Sequence, residues 1–294
     1  PKHISGLKKI PDVQLVLADI DGKLAQKLAE KEGLTWVEHP DSIFNDPKIQ
    51  AIDICTPTVT HLELITKSIE FGKDFFCEKP LCETVQEARF IEKRAAESKC
   101  IGMVGYVYRF APVFETAHQL FADTPTSQVS SVLGKVVTAS FRIGGRGSHR
   151  VWKHRKATGG GAISEMLVHM LDLAIWYFGK VKNAEIVIED LLRPKRVIQG
   201  ALEDVDAEDY VLARLEMETG LEVILQADLV TPSFSQWVEV QGENGTFMGS
   251  IQADRPSFVY CVEDAGGYVA GKTDMQFGYR NLFEAQMTSF ISSV

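Results

Sequence analysis

A chain of 294 residues that is 45% hydrophobic can bury a large core and is longer than most single domains, which points to a globular protein of two domains. Its net charge is −9 and no segment carries a Lys/Arg block, which argues against nucleic acid or an anionic membrane as a partner. The longest apolar stretch, Met166 to Phe178, is interrupted by His169 and Asp172 and falls short of the roughly 20 residues that span a bilayer.

Five cysteines, Cys55, Cys77, Cys82, Cys100 and Cys261, form an odd set without a CxxC pair. That pattern argues against a disulfide framework or a zinc site and favours a reducing cytoplasm. The chain opens at Lys2-His3-Ile4 inside a helix-like segment, and Phe283, Met287, Phe290 and Ile291 keep helical spacing up to Val294. Further sequence is therefore expected at both ends.

In chain order, short β-branched runs alternate with amphipathic stretches: Val13–Ala18, Gly22–Glu32, Ala51–Cys55, Thr60–Phe71, Phe75–Cys77, Thr84–Ser98 and Ile101–Gly105. This βα rhythm predicts a doubly wound parallel sheet, the Rossmann architecture, over residues 1–110. Thr60 with Glu63 and Thr84 with Glu87 match the capping box at two helix starts.

From about residue 130 the runs lengthen and alternate: Val132–Ile143, Ala184–Glu189, Tyr210–Met217, Leu221–Leu229 and Trp237–Gln241, with turns at Thr219-Gly220 and Asn244-Gly245. They predict antiparallel hairpins. With the helical segment Gly161–Phe178 they make residues 111–294 an α+β domain with a large open, mostly antiparallel sheet. The basic, aperiodic stretch Arg142–Arg155 reads as a loop near a ligand, and its arginines with Trp152 suggest an anionic or nucleotide-linked sugar or, more simply, a solvated basic surface.

A parallel sheet binds ligands at the carboxyl ends of its strands. Asp19 closes the first strand, where a carboxylate accepts hydrogen bonds from ribose hydroxyls, and the neighbouring Asp21, with no cation directly beside it, favours NAD over NADP. Thr56-Pro57 ends the next strand in an extended exit. Glu78-Lys79-Pro80 ends the one after, and a Lys–Pro bond can adopt cis and aim the lysine sideways.

In Gly161–Phe178 the ionisable groups are Glu165, His169 and Asp172, at spacings of four and three. At about 100° per residue they fall within roughly a 60° arc, so the stripe must face a network or a cavity. Gly159-Gly160-Gly161 ahead of it permits close approach of a ligand or strand. Glutamate and histidine at i and i+4 could also ligate zinc, with His149 or His154 as a further ligand.

These separated motifs, in this order, resemble the Gfo/Idh/MocA family of glucose–fructose oxidoreductase and inositol dehydrogenase. The resemblance runs through Ala18-Asp19-Ile20-Asp21, Thr56-Pro57, Glu78-Lys79-Pro80, Gly105-Tyr106-Val107-Tyr108-Arg109-Phe110, Gly159 to Asp172, and Gly242-Glu243-Asn244-Gly245-Thr246. Glu165 departs from the aspartate or asparagine that family members commonly carry. The family's GxGxxG strand and turn would lie immediately ahead of this chain's first helix.

The resemblance implies an NAD-dependent oxidoreductase acting on a sugar, polyol or nucleotide sugar. Asp19, Thr56, Pro57, His61, Glu78, Lys79 and Arg109 would serve the cofactor, and Lys79, Arg109, Trp152 and His169 the substrate. His169 would be the general base, Lys79 would hydrogen-bond the developing carbonyl oxygen, and Glu165 and Asp172 would orient base and substrate. NAD-dependent glycoside cleavage and a non-catalytic NAD-binding regulator are the alternatives. An open sheet face over residues 205–270 would be covered in a homodimer or homotetramer.

Overall fold

The computed structural model describes residues 2–146 and 150–294. The chain forms two compact units, Pro1–Val107 with Asn281–Val294 and Tyr108–Arg280. In the first, α1 (Lys2–Leu7), β1 (Val16–Leu17), α2 (Gly22–Glu32), β2 (Thr35–Trp36), α3 (Ser42–Asn45), β3 (Ala51–Ile54), α4 (His61–Glu70), β4 (Asp74–Cys77), α5 (Val85–Glu97) and β5 (Gly102–Val104) follow one another. β3, β4 and β5 make one parallel sheet and β1 and β2 another, the Rossmann-like arrangement that the rhythm predicts.

β4 shows why the pairing is parallel, since Phe75, Phe76 and Cys77 are all buried and a strand covered on both faces reads as a continuous apolar run. Phe75 packs with Phe44, Ile52, Ile65 and Ile91, while Phe76 packs with Leu7, Met287 and Phe290. The last two belong to a C-terminal helix, Leu282–Ile291, that joins the first unit and lies against α1. Helical spacing alone does not say which core such a segment joins.

Local signals hold in part. Thr84 and Glu87 form the expected reciprocal capping box, and Asp21 caps α2 through the amides of Lys23 and Leu24. Thr60 makes no cap; its hydroxyl goes to the Pro57 carbonyl at 2.8 Å. The first strand is only Val16–Leu17, while Val13 and Leu15 just ahead of it pack against the cluster around Phe76.

The second unit contains α6 (Pro112–Leu120), α7 (Thr124–Ser127), β6 (Val129–Ser130), β7 (Gly134–Gly144), α8 (Val168–Phe178) and the strands β8 (Val181–Asp190), β9 (Lys195–Ile198), β10 (Ala201–Asp204), β11 (Tyr210–Met217), β12 (Glu222–Asp228), β13 (Ser235–Gly242), β14 (Gly245–Gly249), β15 (Phe258–Cys261) and β16 (Gly271–Asp274). Its main sheet runs β16-β15-β14-β13-β7-β12-β11-β8, with β6 beside β7.

The hairpins are antiparallel as expected, but β12 pairs with β7 in parallel, so the sheet is mixed. Alternation identifies a strand and its faces, not its neighbour. Ala139, Phe141, Ile143, Val223, Leu225, Val238 and Val240 are buried on the inner face; α8 lies against β7 and β12. Phe121, Phe141, Phe178 and Phe247 pack in edge and tilted geometries at 5.6–6.3 Å between ring centres, a spacing that aromatic quadrupoles favour.

Candidate functional site

In the first unit the motif residues gather at strand ends. Half-buried Asp19 follows β1, and its Oδ1 accepts the Asp21 amide at 2.9 Å. Thr56 and Pro57 are exposed beyond β3, and the Thr56 hydroxyl lies 2.6 Å from that of Thr60. Lys79 is half-buried after β4, and the Lys79–Pro80 bond is cis. Buried His61 ties these two turns together, with Nδ1 2.9 Å from the Pro80 carbonyl and Nε2 3.0 Å from that of Thr56. A neutral imidazole can donate to only one of them. His61 thus ties together the two turns that carry Thr56 and Lys79.

Glu78 is likewise committed. Its Oε1 accepts from His3 Nε2 at 2.7 Å, while His3 Nδ1 lies 3.0 Å from Asp53 and 3.2 Å from the Cys55 sulfur. Burial alone would lower the His3 pKa, but hydrogen bonds to Asp53, Cys55 and Glu78 outweigh it and raise the group to about 12. Burial also lifts the Cys55 thiol to about 11, against the pull of His3. The cluster at neutral pH is thus an imidazolium between two carboxylates beside a neutral thiol. The sequence offered only a helical histidine as a signal for it.

The His3 shift has a definite sign. A folded pKa above the unfolded 6.5 means stability that is fully present below about pH 6.5 and is lost as pH rises toward about 12. Wild type is expected to exceed His3→Gln in denaturant midpoint at neutral pH, with the gap closing in alkali. A gap that widened with rising pH would disprove the imidazolium.

In the second unit Gly160 and Gly161 let other protein groups approach closely. A Cβ on Gly160 would lie 2.4 Å from the Lys153 carbonyl, and one on Gly161, at φ +123°, would lie 2.2 Å from the Glu208 carboxylate. That carboxylate accepts the Ile163 amide at 3.0 Å and so anchors the start of the helical segment. Residues Ile163–Leu167 form a π-turn closed by the Val168 amide on the Ile163 carbonyl, and α8 follows. Wide turns of this kind often mark functional sites. The uniform 3.6-residue period assumed from sequence therefore does not run through Glu165.

The three ionisable groups have separate surroundings. Glu165 is ion-paired with Lys153. Asp172 is buried and accepts both Nε and Nη2 of Arg109, at 2.9 and 2.7 Å. Burial raises the Asp172 pKa while Arg109 opposes the rise. The Arg109 guanidinium also lies 5.4 Å from the centre of the Trp176 ring.

His169, half-buried at the start of α8, sits with its ring 4.9 Å from that of Tyr108. Burial lifts the Tyr108 phenol to about 12, so it stays neutral. Arg109 thus bonds a carboxylate of the histidine's own helix, a role the sequence reading missed when it gave this arginine to ligands. Trp152 is half-buried with the Lys153 ammonium 5.2 Å above its ring.

Three arginines of the basic stretch have protein partners. Arg142 belongs to β7 and forms a buried pair with Asp228, Arg146 donates to the Val230 carbonyl at 2.9 Å, and Arg155 faces Glu203 at 3.5 Å. Of the stretch's arginines, Arg142 is buried, whereas Arg146, Arg150 and Arg155 are exposed. His149 lies outside the described residues, and buried His154 uses its backbone carbonyl for the Asp206 and Ala207 amides. Among the described residues the one group with metal-like donor spacing is His3, Asp53 and Cys55, not Glu165 and His169, and protonated His3 places its own positive charge there. No helix of the described residues is long and apolar enough to cross a membrane.

Comparison with known proteins agrees with this architecture. The signature described as "Oxidoreductase family, NAD-binding Rossmann fold" matches residues 2–106, and that of the GFO/IDH/MocA C-terminal domain matches residues 129–248. Levoglucosan dehydrogenase of Pseudarthrobacter phenanthrenivorans is 24% identical over 277 residues, 84% of this chain and 70% of its own length. The scyllo-inositol 2-dehydrogenase (NAD(+)) of Bacillus subtilis is 28% identical over 234 residues, 78% of this chain and 64% of its own; this chain thus spans less than two thirds of that relative. Inositol 2-dehydrogenase of Rhizobium meliloti is 26% identical over 296 residues, 99% of this chain and 84% of its own. A solved levoglucosan dehydrogenase complex with NADH and levoglucosan shares the fold, with a TM-score of 0.85 at 20% identity over 99% of this chain and 86% of that one. Parallel sheets with ligand-edge motifs, a mixed sheet carrying the histidine helix, and both domain signatures in order lead to one conclusion: the chain belongs to the Gfo/Idh/MocA family of NAD-binding oxidoreductases.

Proposed function

We propose that the protein interconverts a hydroxyl and a carbonyl of a neutral sugar or polyol with NAD as the redox partner. The observation that carries this reading is the arrangement on the histidine helix. Glu165 and Asp172 are both ion-paired and burial keeps the Tyr108 phenol neutral, which leaves the His169 imidazole as the group's general base. Asp19, Thr56, Pro57 and Lys79 would hold NAD, which would supply the acceptor for the hydride of the carbinol carbon. His169 takes the hydroxyl proton, and Lys79 hydrogen-bonds the oxygen as it becomes a carbonyl. Arg109 and Asp172 position the helix that presents the base.

The strand-end residues suit this cofactor. Asp19 stands half-buried after β1 with Asp21 two residues on, so the pair suits ribose hydroxyls and would repel a 2′-phosphate. Thr56, Pro57 and Lys79 line the ends of the next two strands, supported by His61 and Glu78. All five cysteines are free thiols, which supports a cytoplasmic setting. The test is to supply NAD with levoglucosan, scyllo-inositol and myo-inositol and to follow NADH. Formation of NADH with at least one is expected; tight NAD binding with none oxidised would refute the reading.

The outer face of the large sheet supports self-association. Leu212, Ile224, Trp237, Met248 and Phe258 are only half-buried there and Tyr260 is 45% exposed, and an apolar face of this kind calls for a cover. A second copy of the chain covers it in this reading. Light scattering should give a dimer or tetramer, and Trp237→Glu should shift it toward monomer; a wild-type monomer at micromolar concentration would refute this.

A further inference from the structure

The cluster around His3 has no part in the reaction proposed above. His3 Nδ1 lies 3.0 Å from Asp53 Oδ1 and 3.2 Å from the Cys55 sulfur, and that sulfur lies 3.4 Å from the same carboxylate oxygen. A tetrahedral zinc ion with nitrogen, oxygen and sulfur ligands sets these donors about 3.3–3.6 Å apart. The three atoms need to spread by only about 0.1–0.4 Å to admit one. The histidine is already oriented for it. Its Nε2 donates to Glu78 Oε1 at 2.7 Å, and metal-bound histidines commonly carry such a carboxylate on the second nitrogen, which turns the first toward the ion. The ring is held edge-on to Phe76 at 5.4 Å and tilted against Phe283 at 5.8 Å. Asp53 lies on β3 and Cys55 just after it, both exposed and, being two residues apart, on one face. Their exposure gives water access to a fourth ligand position.

We infer that His3 Nδ1, Asp53 and Cys55 form a zinc site that fastens α1 to the end of β3, with Glu78 holding the histidine ring. The donor set selects the ion, since imidazole and thiolate suit zinc, whereas magnesium and calcium take oxygen ligands. In the metal-free protein described above, the imidazolium supplies the positive charge beside the carboxylates, and the unfolding comparison with His3→Gln applies to that form. Zinc takes the place of the His3 Nδ1 proton and of the Cys55 thiol proton. One divalent cation enters, two protons leave, and the charge of the cluster does not change. No uncompensated charge is created beside the buried imidazole. A search for CxxC spacing misses the site because its histidine and aspartate are fifty residues apart, on a helix and a strand. Cys55 leads directly into Thr56-Pro57, so the ion also steadies that strand-end turn.

The test uses the full-length protein, kept reduced with a phosphine, stripped with a chelator and titrated with zinc against a chromophoric chelator. Wild type should bind one zinc per chain with a Kd of about 1 µM or tighter, and zinc should raise its melting temperature. Cobalt(II), used as a coloured stand-in, should show a thiolate-to-metal charge-transfer band. Cys55→Ser should abolish that band, and Cys55→Ser and Asp53→Ala should each weaken zinc binding by about 10- to 100-fold or more. Cys82→Ser and Cys100→Ser should leave both the band and the affinity as in wild type. The cobalt band is read on wild type and so does not depend on any variant folding. No zinc bound by wild type at about 100 µM free metal, no cobalt–thiolate band, or an affinity unchanged in Cys55→Ser would reduce the cluster to hydrogen bonds of a protonated histidine and overturn the inference. The titrations need neither cofactor nor sugar, so their outcome stands apart from the oxidoreductase reading.

Discussion

Replacing His169 by Ala is expected to lower kcat by about 10²–10⁴-fold, the usual worth of a positioned general base. Three groups near it are ill suited to replace it. Tyr108, the ring beside it at 4.9 Å, is held at about 12 by burial and stays protonated where an imidazole titrates. Glu165 is occupied by Lys153 and Asp172 by Arg109. His169→Asn, which keeps a polar side chain but cannot act as the base, should show a loss of the same scale. NAD affinity should be unchanged if the residues proposed to hold it, Asp19, Thr56, Pro57 and Lys79, carry its binding. Turnover within a few-fold of wild type in both variants would remove His169 from the mechanism.

How much of this was legible in the sequence depends on the range of the interaction. Helix α2 matches its expected Gly22–Glu32 and β11 its expected Tyr210–Met217, because caps, turns and periodicity act over a few residues. The strand-end motifs were legible for the same reason, each being a short run after a strand. Three features were not. The parallel pairing of β12 with β7 joins residues more than eighty apart, and alternation is silent about partners. The π-turn at Ile163–Leu167 begins where Glu208, forty-five residues on in the sequence, accepts the Ile163 amide. The Arg109–Asp172 and Lys153–Glu165 pairs turned a stripe read as one catalytic surface into a histidine flanked by two ion pairs. Charges on an apolar helix announce that partners exist; only the tertiary fold says which.

The Arg109–Asp172 pair supplies the second large effect. Asp172 has a side chain only 7% exposed, whereas Arg109 remains 39% exposed. Breaking a fully buried pair by removing one partner costs about 3–5 kcal/mol, and solvent access to the guanidinium reduces this to roughly 2–3 kcal/mol for Arg109→Met. The loss should depend on pH with a predictable sign. Burial already raises the Asp172 pKa and Arg109 opposes the rise, so the variant's folded pKa climbs further above the unfolded 3.8.

A carboxyl with a raised folded pKa favours folding in acid and loses that advantage as pH passes the folded value. The deficit of Arg109→Met relative to wild type should therefore shrink in acid and grow above it, measurable by denaturant unfolding at about pH 5 and about pH 8. Adding Asp172→Asn to Arg109→Met removes the titrating group, so the double variant should regain stability at the higher pH and lose the pH dependence of the deficit. Turnover separates this from a general loss of fold. Arg109 acts by holding the helix that carries His169, so a rescued double variant should recover its melting temperature ahead of its kcat, whereas parallel recovery of both would show that the guanidinium serves stability alone.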